Sequence, residues 1–265
     1  MLTPPPRTAG APGSLLFLPL RVSYAIYVWT VFLVLALGSL PAVLVLPSLE
    51  GRRRIVRWVA RTFLRLAGMP FEVRFAERLP AGQCVVVANH ASYLDGVVFK
   101  AALPPRFGFV IKREMASVPL AGLLLRRIGS EFVERFNPQR GARDARRMLR
   151  NASNGHSLMF FPEGTFTHQP GLARFHTGAF VTAARAGCPV VPIVVRGTRR
   201  ALAPGTLLPL PAHIQLEVLP PLASVAGANV DAQPRAAAIR DQARSASLER
   251  LGEPDLAIPV AAGAP

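Results

Sequence analysis

Lysine is almost absent from this chain, and arginine carries its positive charge. Of 31 basic residues only two are lysines, Lys100 and Lys112, and with 15 acidic residues the formal net charge is +16. Such a bias most simply reflects a GC-rich coding sequence, so Lys112 stands out. A chain this basic suits anionic lipid head groups or nucleic acid. No helix-turn-helix, zinc-finger or RNA-binding signature accompanies the charge, which argues against nucleic acid.

Cysteine is equally scarce. Cys84 and Cys188 make no disulfide or metal-binding pattern, and their apolar contexts indicate core packing in a reducing compartment. The chain also lacks a Gly-x-Ser-x-Gly sequence, the turn that presents a nucleophilic serine in many esterases. A hydrolase that uses such a serine is therefore disfavoured.

Charge is missing altogether from the segment between Tyr24 and Pro47. Its 24 residues would form a helix of roughly 36 Å, enough to cross a bilayer. Pro41 interrupts it, so a kinked span and a helix-break-helix that re-enters one leaflet both stay open. A cleaved signal peptide is the alternative, but signal peptides carry their positive charges before the apolar core. Here the charges follow it, so the sequence favours a retained anchor.

The arginines after this segment predict its orientation. Residues 1–70 contain eight arginines and one acid, Glu50. Arg52–Arg54 and Arg57, which follow the segment, predict that the chain after it stays on the cytoplasmic side of the inner membrane. Four of these arginines recur at helical spacing, which predicts a basic amphipathic helix on an anionic membrane surface: Arg54, Arg57, Arg61 and Arg65. An ordinary surface helix with a solvated charged face is the alternative.

The rest of the chain alternates strands and helices, which predicts an α/β domain with one mixed sheet of about seven strands covered by helices. The predicted strands are Phe71–Glu77, Cys84–Asn89, Phe107–Ile111, Glu131–Arg135, Leu158–Phe161, Val190–Val195 and Ile214–Leu219. The predicted helices are Leu94–Ala102, Pro119–Ile128, Ala142–Ala152, Ala179–Ala186 and Ala232–Arg250. The predicted parts are a disordered lead-in (1–14), an anchor with interfacial helix (15–68), a catalytic domain (69–252) and a flexible tail (253–265).

The most informative stretch runs from the β-branched residues Val85–Val87 into His90 and Asp95, a His-x4-Asp spacing. A strand that ends in a turn holds a base firmly. A nearby carboxylate can accept the proton of one imidazole nitrogen and leave the other free as a base. No serine partner is evident, so the pair suits a hydroxyl carried by the substrate. The alternative is a plain helix start, with Ser92 as cap and Asp95 near the positive end of the dipole.

A second signal is Met159-Phe-Phe-Pro-Glu-Gly-Thr165, where an apolar strand runs into Pro162. Ligands bind at the carboxyl edge of open α/β sheets, which is where Glu163 and Gly164 would lie. Gly164 permits a positive φ or a close backbone approach, and Glu163 can position a neighbouring group. A plain strand-ending turn would satisfy the same residues.

Together these blocks resemble the glycerolipid acyltransferase superfamily, and most closely the bacterial 1-acyl-glycerol-3-phosphate acyltransferases. The resemblance spans roughly residues 70–200, about half of the chain. It rests on four blocks in the same order: 89–95, 111–115 with Pro119 and Gly122, 161–165, and 191–193. The apolar N-terminal segment is also similar to the anchor of that family.

The resemblance implies acyl transfer from a thioester of acyl-carrier protein or coenzyme A to the hydroxyl of a lysolipid, without a metal or an organic cofactor. With 1-acyl-glycerol-3-phosphate as acceptor the product would be phosphatidic acid. His90 would be the general base and Asp95 would orient it; Lys112 resembles the lysine that meets the acceptor phosphate. The other residues implied in substrate binding are Asn89, Ser92, Glu163, Gly164, Thr165 and His176.

One departure from the family pattern concerns the acceptor. The family block usually continues with an arginine associated with the phosphate, and here that position is Phe166. A second family segment normally carries lysine where His176 and Thr177 stand. Another cation would have to serve, with Lys112, Arg135 and Arg174 as candidates. Otherwise the acceptor is a different lysolipid, such as a lyso-ornithine lipid or a lysophospholipid. A lipid ester or thioester hydrolase and a non-enzymatic lipid-binding protein remain alternatives.

Overall fold

The computed structural model describes residues 18–134, 155–223 and 232–257. Within these residues, seven strands form one mixed sheet in the order β1-β7-β6-β2-β5-β3-β4, in which only β6 and β7 are antiparallel neighbours. The strands are β1 (Phe71–Arg74), β2 (Val85–Ala88), β3 (Phe107–Lys112), β4 (Glu131–Val133), β5 (Ser157–Phe160), β6 (Val190–Arg196) and β7 (Ile214–Val218). The predicted single mixed sheet of about seven strands is confirmed.

Helices cover both faces of this sheet. They are α1 (Leu18–Val45), α2 (Leu49–Leu66), α3 (Asp95–Ala102), α4 (Ala121–Arg127), α5 (Gly178–Ala186), α6 (Thr198–Ala201) and α7 (Ala232–Leu251), with 3₁₀ turns at Ala76–Arg78 and Arg113–Ala116. Successive residues of β2 belong to different cores, because side chains alternate across a strand. Val86 packs in the core that includes α2 and α3, whereas Val85 and Val87 pack in the core that includes α5 and α7.

The central strands are apolar on both faces. Every residue of β2 and β5 is buried, as are the first six residues of β6. Parallel strands covered on both sides by helices require such continuous apolar sequences, which is why they were readable in the sequence. The element ends were less readable: β1 stops at Arg74 because Phe75 takes a left-handed conformation, with φ of 56°. The predicted helix Ala142–Ala152 lies outside the described residues.

The first helix, α1, is long and apolar enough to cross a membrane by length and composition. This helix continues without interruption through Pro41 and ends at Val45, and α2 begins at Leu49. The Tyr24 hydroxyl donates to the Ala67 carbonyl (2.5 Å), and Trp29 Nε1 donates to the Leu207 carbonyl (2.8 Å). These bonds attach one side of α1 to the rest of the protein, while ten of its large apolar side chains stay exposed.

Arginines of α2 connect this helical pair to the α/β domain. Arg53 donates to the carbonyls that follow α4, Ile128 (2.8 Å) and Gly129 (3.1 Å). It also donates to the carbonyls of Pro105 and Arg106 before β3, at 3.2 and 3.1 Å. The last carbonyls of a helix lack intrahelical partners and carry partial negative charge, so a guanidinium is an effective partner for them.

Two of the four arginines predicted to contact lipid are used in the same way. Arg57 and Arg61 donate to the carbonyl of Ala101 at the end of α3, at 3.3 and 2.8 Å. Arg54, Arg61 and Arg65 are exposed on α2. Two of the four arginines therefore bond within the protein, and membrane contact stays a prediction for the three that are exposed.

We expect Arg53→Met to lower the free energy of unfolding by about 2–3 kcal/mol, because four carbonyls lose a charged donor. The corresponding fall in Tm in detergent is about 4–10 °C, measured by thermal denaturation. Arg54→Met is the matched control. Among the described residues Arg54 pairs with Glu50 alone, and both side chains are well exposed, at 69% and 60%. Its loss should cost less than about 1 kcal/mol; equal losses for both variants would contradict the proposed role of Arg53.

Candidate active site

Two loops meet at the carboxyl edge of the sheet. Strands β2 and β5 are parallel neighbours, with Val87 opposite Phe160, so the chain leaves both strands at the same edge. The first loop carries Asn89 and His90, and the second carries 161–166. The two sequence blocks that lie 73 residues apart by His90 and Glu163 are thereby brought into direct contact.

The His90–Asp95 pair forms as the sequence predicts. His90 Nδ1 lies 2.7 Å from Asp95 Oδ2, and Asp95, the first residue of α3, is fully buried. The same Oδ2 accepts the backbone N–H groups of Ala91 (2.7 Å) and Ser92 (2.9 Å). Three donors therefore fix one carboxylate oxygen, which in turn fixes the plane of the imidazole ring.

This contact determines which imidazole nitrogen is available. A carboxylate beside Nδ1 favours the tautomer with the proton on Nδ1, which leaves Nε2 as an acceptor. Among the described residues no hydrogen bond reaches His90 Nε2, and none reaches Asp95 Oδ1, which is buried. Nε2 is therefore the ring nitrogen that is open to a hydrogen bond from a ligand.

Glu163 ties the second loop to the first. Its Oε1 accepts the backbone N–H of His90 (2.6 Å), and its Oε2 accepts that of Ala173 (2.8 Å). Burial raises the pKa of Glu163, although these two backbone hydrogen bonds act in the opposite direction. Gly164, with φ of +78°, supplies the left-handed turn that follows. Glu163 is thus a positioning residue for the backbone of His90.

Aromatic rings enclose the imidazole. His90 stacks on Phe161 with centroids 4.2 Å apart and planes 16° apart, and Phe166 meets it edge-on at 4.4 Å. Phe166 also contacts Tyr93, at 4.8 Å. The sequence reasoning missed Phe161 and Tyr93 and treated Phe166 only as a missing arginine. A signal was present, since these aromatics lie inside or directly beside the two blocks.

Asn89 and Ser92, both predicted to bind substrate, use their polar atoms within the protein. Asn89 donates to the carbonyl of Val195 (3.0 Å) and accepts its N–H (2.8 Å), which joins the end of β2 to β6. Ser92 is fully buried, donates to the carbonyl of Leu202 (2.7 Å) and accepts the N–H of Leu94 (3.1 Å). This geometry gives both side chains a positioning role and leaves no support for direct contact with substrate.

The other predicted binding residues are at the surface near this edge. Lys112 ends β3, and Lys112, Thr165, Arg174 and His176 are all exposed. The structure describes no hydrogen bond or ion pair between these side chains and the dyad. The remaining candidate cation, Arg135, lies outside the described residues. A substitute for the missing family arginine therefore stays a prediction.

A largely apolar cavity of about 330 Å³ lies between α1, α2, α3, α4 and β3, and Gly96, the residue after Asp95, lines it. Its walls include Phe32, Phe63, Tyr93, Val97, Lys100 and Leu124. Of these residues, Tyr93 contacts Phe166, and Phe166 in turn contacts the imidazole of His90. Within the described parts of the chain, no three His, Cys, Asp or Glu side chains gather as a metal site.

The mixed α/β sheet and the His–Asp pair at its carboxyl edge agree with a match to a protein family. Residues 70–196 match the model of the acyltransferase family and contain the His90–Asp95 pair and both loops of the catalytic edge. This part of the chain is an acyltransferase-family domain, and the resemblance seen in the sequence is confirmed.

Particular relatives narrow the comparison. The chain is 30% identical over 181 residues to a chloroplastic 1-acyl-sn-glycerol-3-phosphate acyltransferase of Brassica napus, covering 66% of this chain and 52% of the relative. It is 36% identical over 149 residues to a lyso-ornithine lipid O-acyltransferase of Pseudomonas aeruginosa, covering 54% of each. The chain thus spans about half the length of these curated relatives.

A solved structure agrees with the fold. The crystal structure of the 1-acyl-sn-glycerophosphate acyltransferase of Thermotoga maritima superimposes with a TM-score of 0.71, covering 88% of this chain and 95% of the other. The sequence identity is 20%, so the likeness concerns the fold. Because it covers so much of both chains, the shared fold extends beyond residues 70–196.

Glu163→Gln should change how stability depends on pH. The pKa of Glu163 is raised above its ordinary value of 4.5 in the folded state, so between the two values the folded chain binds more protons than the unfolded chain. This contribution is complete below pH 4.5 and is lost as the pH rises through the folded-state pKa. Glutamine is neutral and lacks this contribution. The Tm of Glu163→Gln minus the Tm of wild type, both measured in detergent, should therefore increase as the pH rises from 4.5 through the folded-state pKa.

Wild-type protein measured at the same pH values is the reference. If the Tm–pH profile of Glu163→Gln is parallel to that of the wild type, the buried carboxyl does not titrate as described.

Proposed function

We propose that this chain is a membrane-bound O-acyltransferase that moves a fatty acyl group from an acyl thioester to the free hydroxyl of a lysolipid. The observation that carries the proposal is the pairing of a buried Asp95 with a His90 whose Nε2 has no partner among the described residues, at the start of a helix that lines an apolar cavity. The base has no nucleophilic partner in the described site, which suits an acceptor that brings its own hydroxyl. The cavity suits the hydrocarbon chain of the donor.

The chemical steps follow from this geometry. His90 Nε2 removes the proton of the acceptor hydroxyl while that oxygen attacks the thioester carbonyl. The tetrahedral intermediate collapses, the carbon–sulfur bond breaks, and the thiolate leaves with the proton returned by His90. The products are an ester and a free thiol, and no redox change occurs. Asp95 holds the ring and stabilises the imidazolium formed in between.

Magnitudes indicate which effects matter. General base catalysis of this kind contributes roughly 10²–10⁴-fold. Holding the hydroxyl and the carbonyl together in a reactive geometry contributes much of the rest, and needs no cofactor. Both depend on a rigid His90, which the bonds from Asp95 and Glu163 provide.

The membrane assignment rests on α1 and on charge. Helix α1 is apolar and largely exposed, and arginines follow it immediately in the chain. Positive charge beside an apolar helix favours the cytoplasmic side of the inner membrane and its anionic surface. The donor would then be an acyl-carrier protein or coenzyme A thioester, since a basic surface attracts either anionic carrier.

The leading acceptor is 1-acyl-glycerol-3-phosphate, which would give phosphatidic acid. The name of the Brassica napus relative supports it. A specific observation favours a second acceptor, a lyso-ornithine lipid. Phe166 covers the imidazole where the family pattern has arginine, and the Pseudomonas aeruginosa relative is named for that acceptor. An aromatic ring cannot replace the paired hydrogen bonds of a guanidinium to a phosphate.

The dyad is tested by His90→Ala and Asp95→Asn in purified protein with a labelled acyl thioester and a lysolipid. We expect each to lower kcat by about 10²–10⁴-fold, because proton removal loses its base or its oriented tautomer. His156→Ala, which removes an exposed imidazole outside the site, should keep wild-type activity. Full activity of His90→Ala would remove the basis of the proposal.

The acceptor is tested with a panel of lysolipids and one labelled donor. If Phe166 marks a phosphate-free acceptor, a lyso-ornithine lipid should be preferred. Phe166→Arg should then raise the relative kcat/KM for 1-acyl-glycerol-3-phosphate by about 10- to 100-fold, as expected for one charged hydrogen bond.

Phe166→Leu is the matched control, because it alters the ring without adding a charge. It should not shift preference toward the phosphate. A wild-type preference for 1-acyl-glycerol-3-phosphate would instead require another cation at the site. Release of free fatty acid at the same rate with and without a lysolipid would indicate a hydrolase.

A further inference from the structure

An amine lies in the wall of the apolar cavity. Lys100, on α3, places its Nζ 3.6 Å from the centroid of the Phe109 ring, and both residues line the cavity. The cavity lining otherwise consists largely of aliphatic and aromatic side chains. Of its hydroxyl-bearing residues, Ser39 already donates to the carbonyl of Ala36 (3.0 Å).

Lys100 has no polar partner in the described parts of the chain. No hydrogen bond or ion pair reaches its Nζ there, and the nearby Arg53 is itself a cation engaged with four carbonyls. Burial lowers the pKa of Lys100 well below its ordinary value, and the charge of Arg53 acts in the same direction. An amine without a counter-ion costs free energy in the wall of a cavity that holds only hydrocarbon.

The choice of lysine is itself informative. Arginine supplies nearly all positive charge in this chain, and Lys100 is one of only two lysines. An arginine stays charged in protein interiors, whereas a buried lysine can lose its proton and then both donate and accept a hydrogen bond. An amine at this position therefore suits a neutral oxygen-bearing ligand better than a guanidinium would.

The position of Lys100 on α3 gives its distance from Asp95 along the helix axis. Asp95 begins the helix and Lys100 follows five residues later, which is about 7.5 Å along the helix axis. Gly96, Val97 and Lys100 line the cavity along this helix. A chain whose carbonyl lies at His90 and whose tail enters the cavity would pass Lys100 several carbon atoms from the carbonyl.

We propose that Lys100 selects an acyl chain that carries a hydroxyl group in mid-chain, through a hydrogen bond between its amine and that hydroxyl. The proposal rests on the acyltransferase function proposed above and deepens it, since it defines the acyl substrate. Lys100 is a specificity-determining residue in this role and takes no part in proton transfer at the ester.

The test compares acyl-coenzyme A donors of equal length, either unsubstituted or with one hydroxyl near the carbonyl, in mid-chain or near the tail. Wild-type protein should prefer the mid-chain donor. Lys100→Met keeps an unbranched side chain of similar size and removes the amine. It should lower the ratio of kcat/KM for mid-chain-hydroxylated over unsubstituted donor by about 2- to 10-fold.

Two further variants separate recognition from packing. Lys100→Gln retains a donor and an acceptor and should keep part of the preference. Ser39→Ala removes a hydroxyl elsewhere in the wall and should leave the ratio as in wild type. If Lys100→Met has the wild-type ratio, Lys100 only packs against Phe109 and the proposal is wrong.

A binding measurement tests the role of Lys100 independently of catalysis. Displacement of a fluorescent fatty acid from the full chain in detergent, by hydroxylated and unsubstituted free fatty acids, should show the same Lys100-dependent preference. Binding preference without acyl transfer would overturn the proposed function and keep the role of Lys100. Acyl transfer with equal ratios in wild type and Lys100→Met would do the reverse.

Discussion

A single carboxylate oxygen, Asp95 Oδ2, organises the catalytic edge. It accepts the imidazole of His90 and two backbone N–H groups from the turn between them. The turn and the ring are therefore held by the same oxygen atom, and a shift of either would break its hydrogen bonds to that atom. Because Asp95 also begins α3, the orientation of the base is tied to the helix that lines the cavity. One helix thus connects the pair that we propose transfers a proton with the cavity that we propose holds a hydrocarbon chain.

The electrostatics of this edge are unusual for so basic a chain. Helix α2 alone carries six of the 31 basic residues, whereas the ring of His90 is enclosed by Phe161 and Phe166. Several arginines of α2 are used to satisfy helix carbonyls, which couples the N-terminal helical pair to α3 and α4. That coupling builds the cavity, since its walls come from both parts. Arginines of α2 thus help to assemble this apolar space.

The sequence pattern predicted the position of Glu163 correctly and its role only in part. Its position at the carboxyl edge of the sheet followed from the strand that precedes it. Its two bonds to the backbone of His90 and Ala173 depend on a loop that arrives from elsewhere in the chain. The same holds for Asn89, whose partner on β6 is 106 residues away. Local pattern locates such residues, and only the packing of strands assigns their partners.

The sequence by itself determined the alternation of strands and helices, the apolar first helix and the pairing of His90 with Asp95. These depend on short-range patterns: continuous apolar runs, charge-free length, and two residues within one turn. Only the tertiary structure decided the strand order, the enclosure of His90 by Phe161 and Phe166, and the place of Lys100 in a cavity wall. Each of these requires elements distant in sequence to meet, and periodicity carries no information about which surfaces meet.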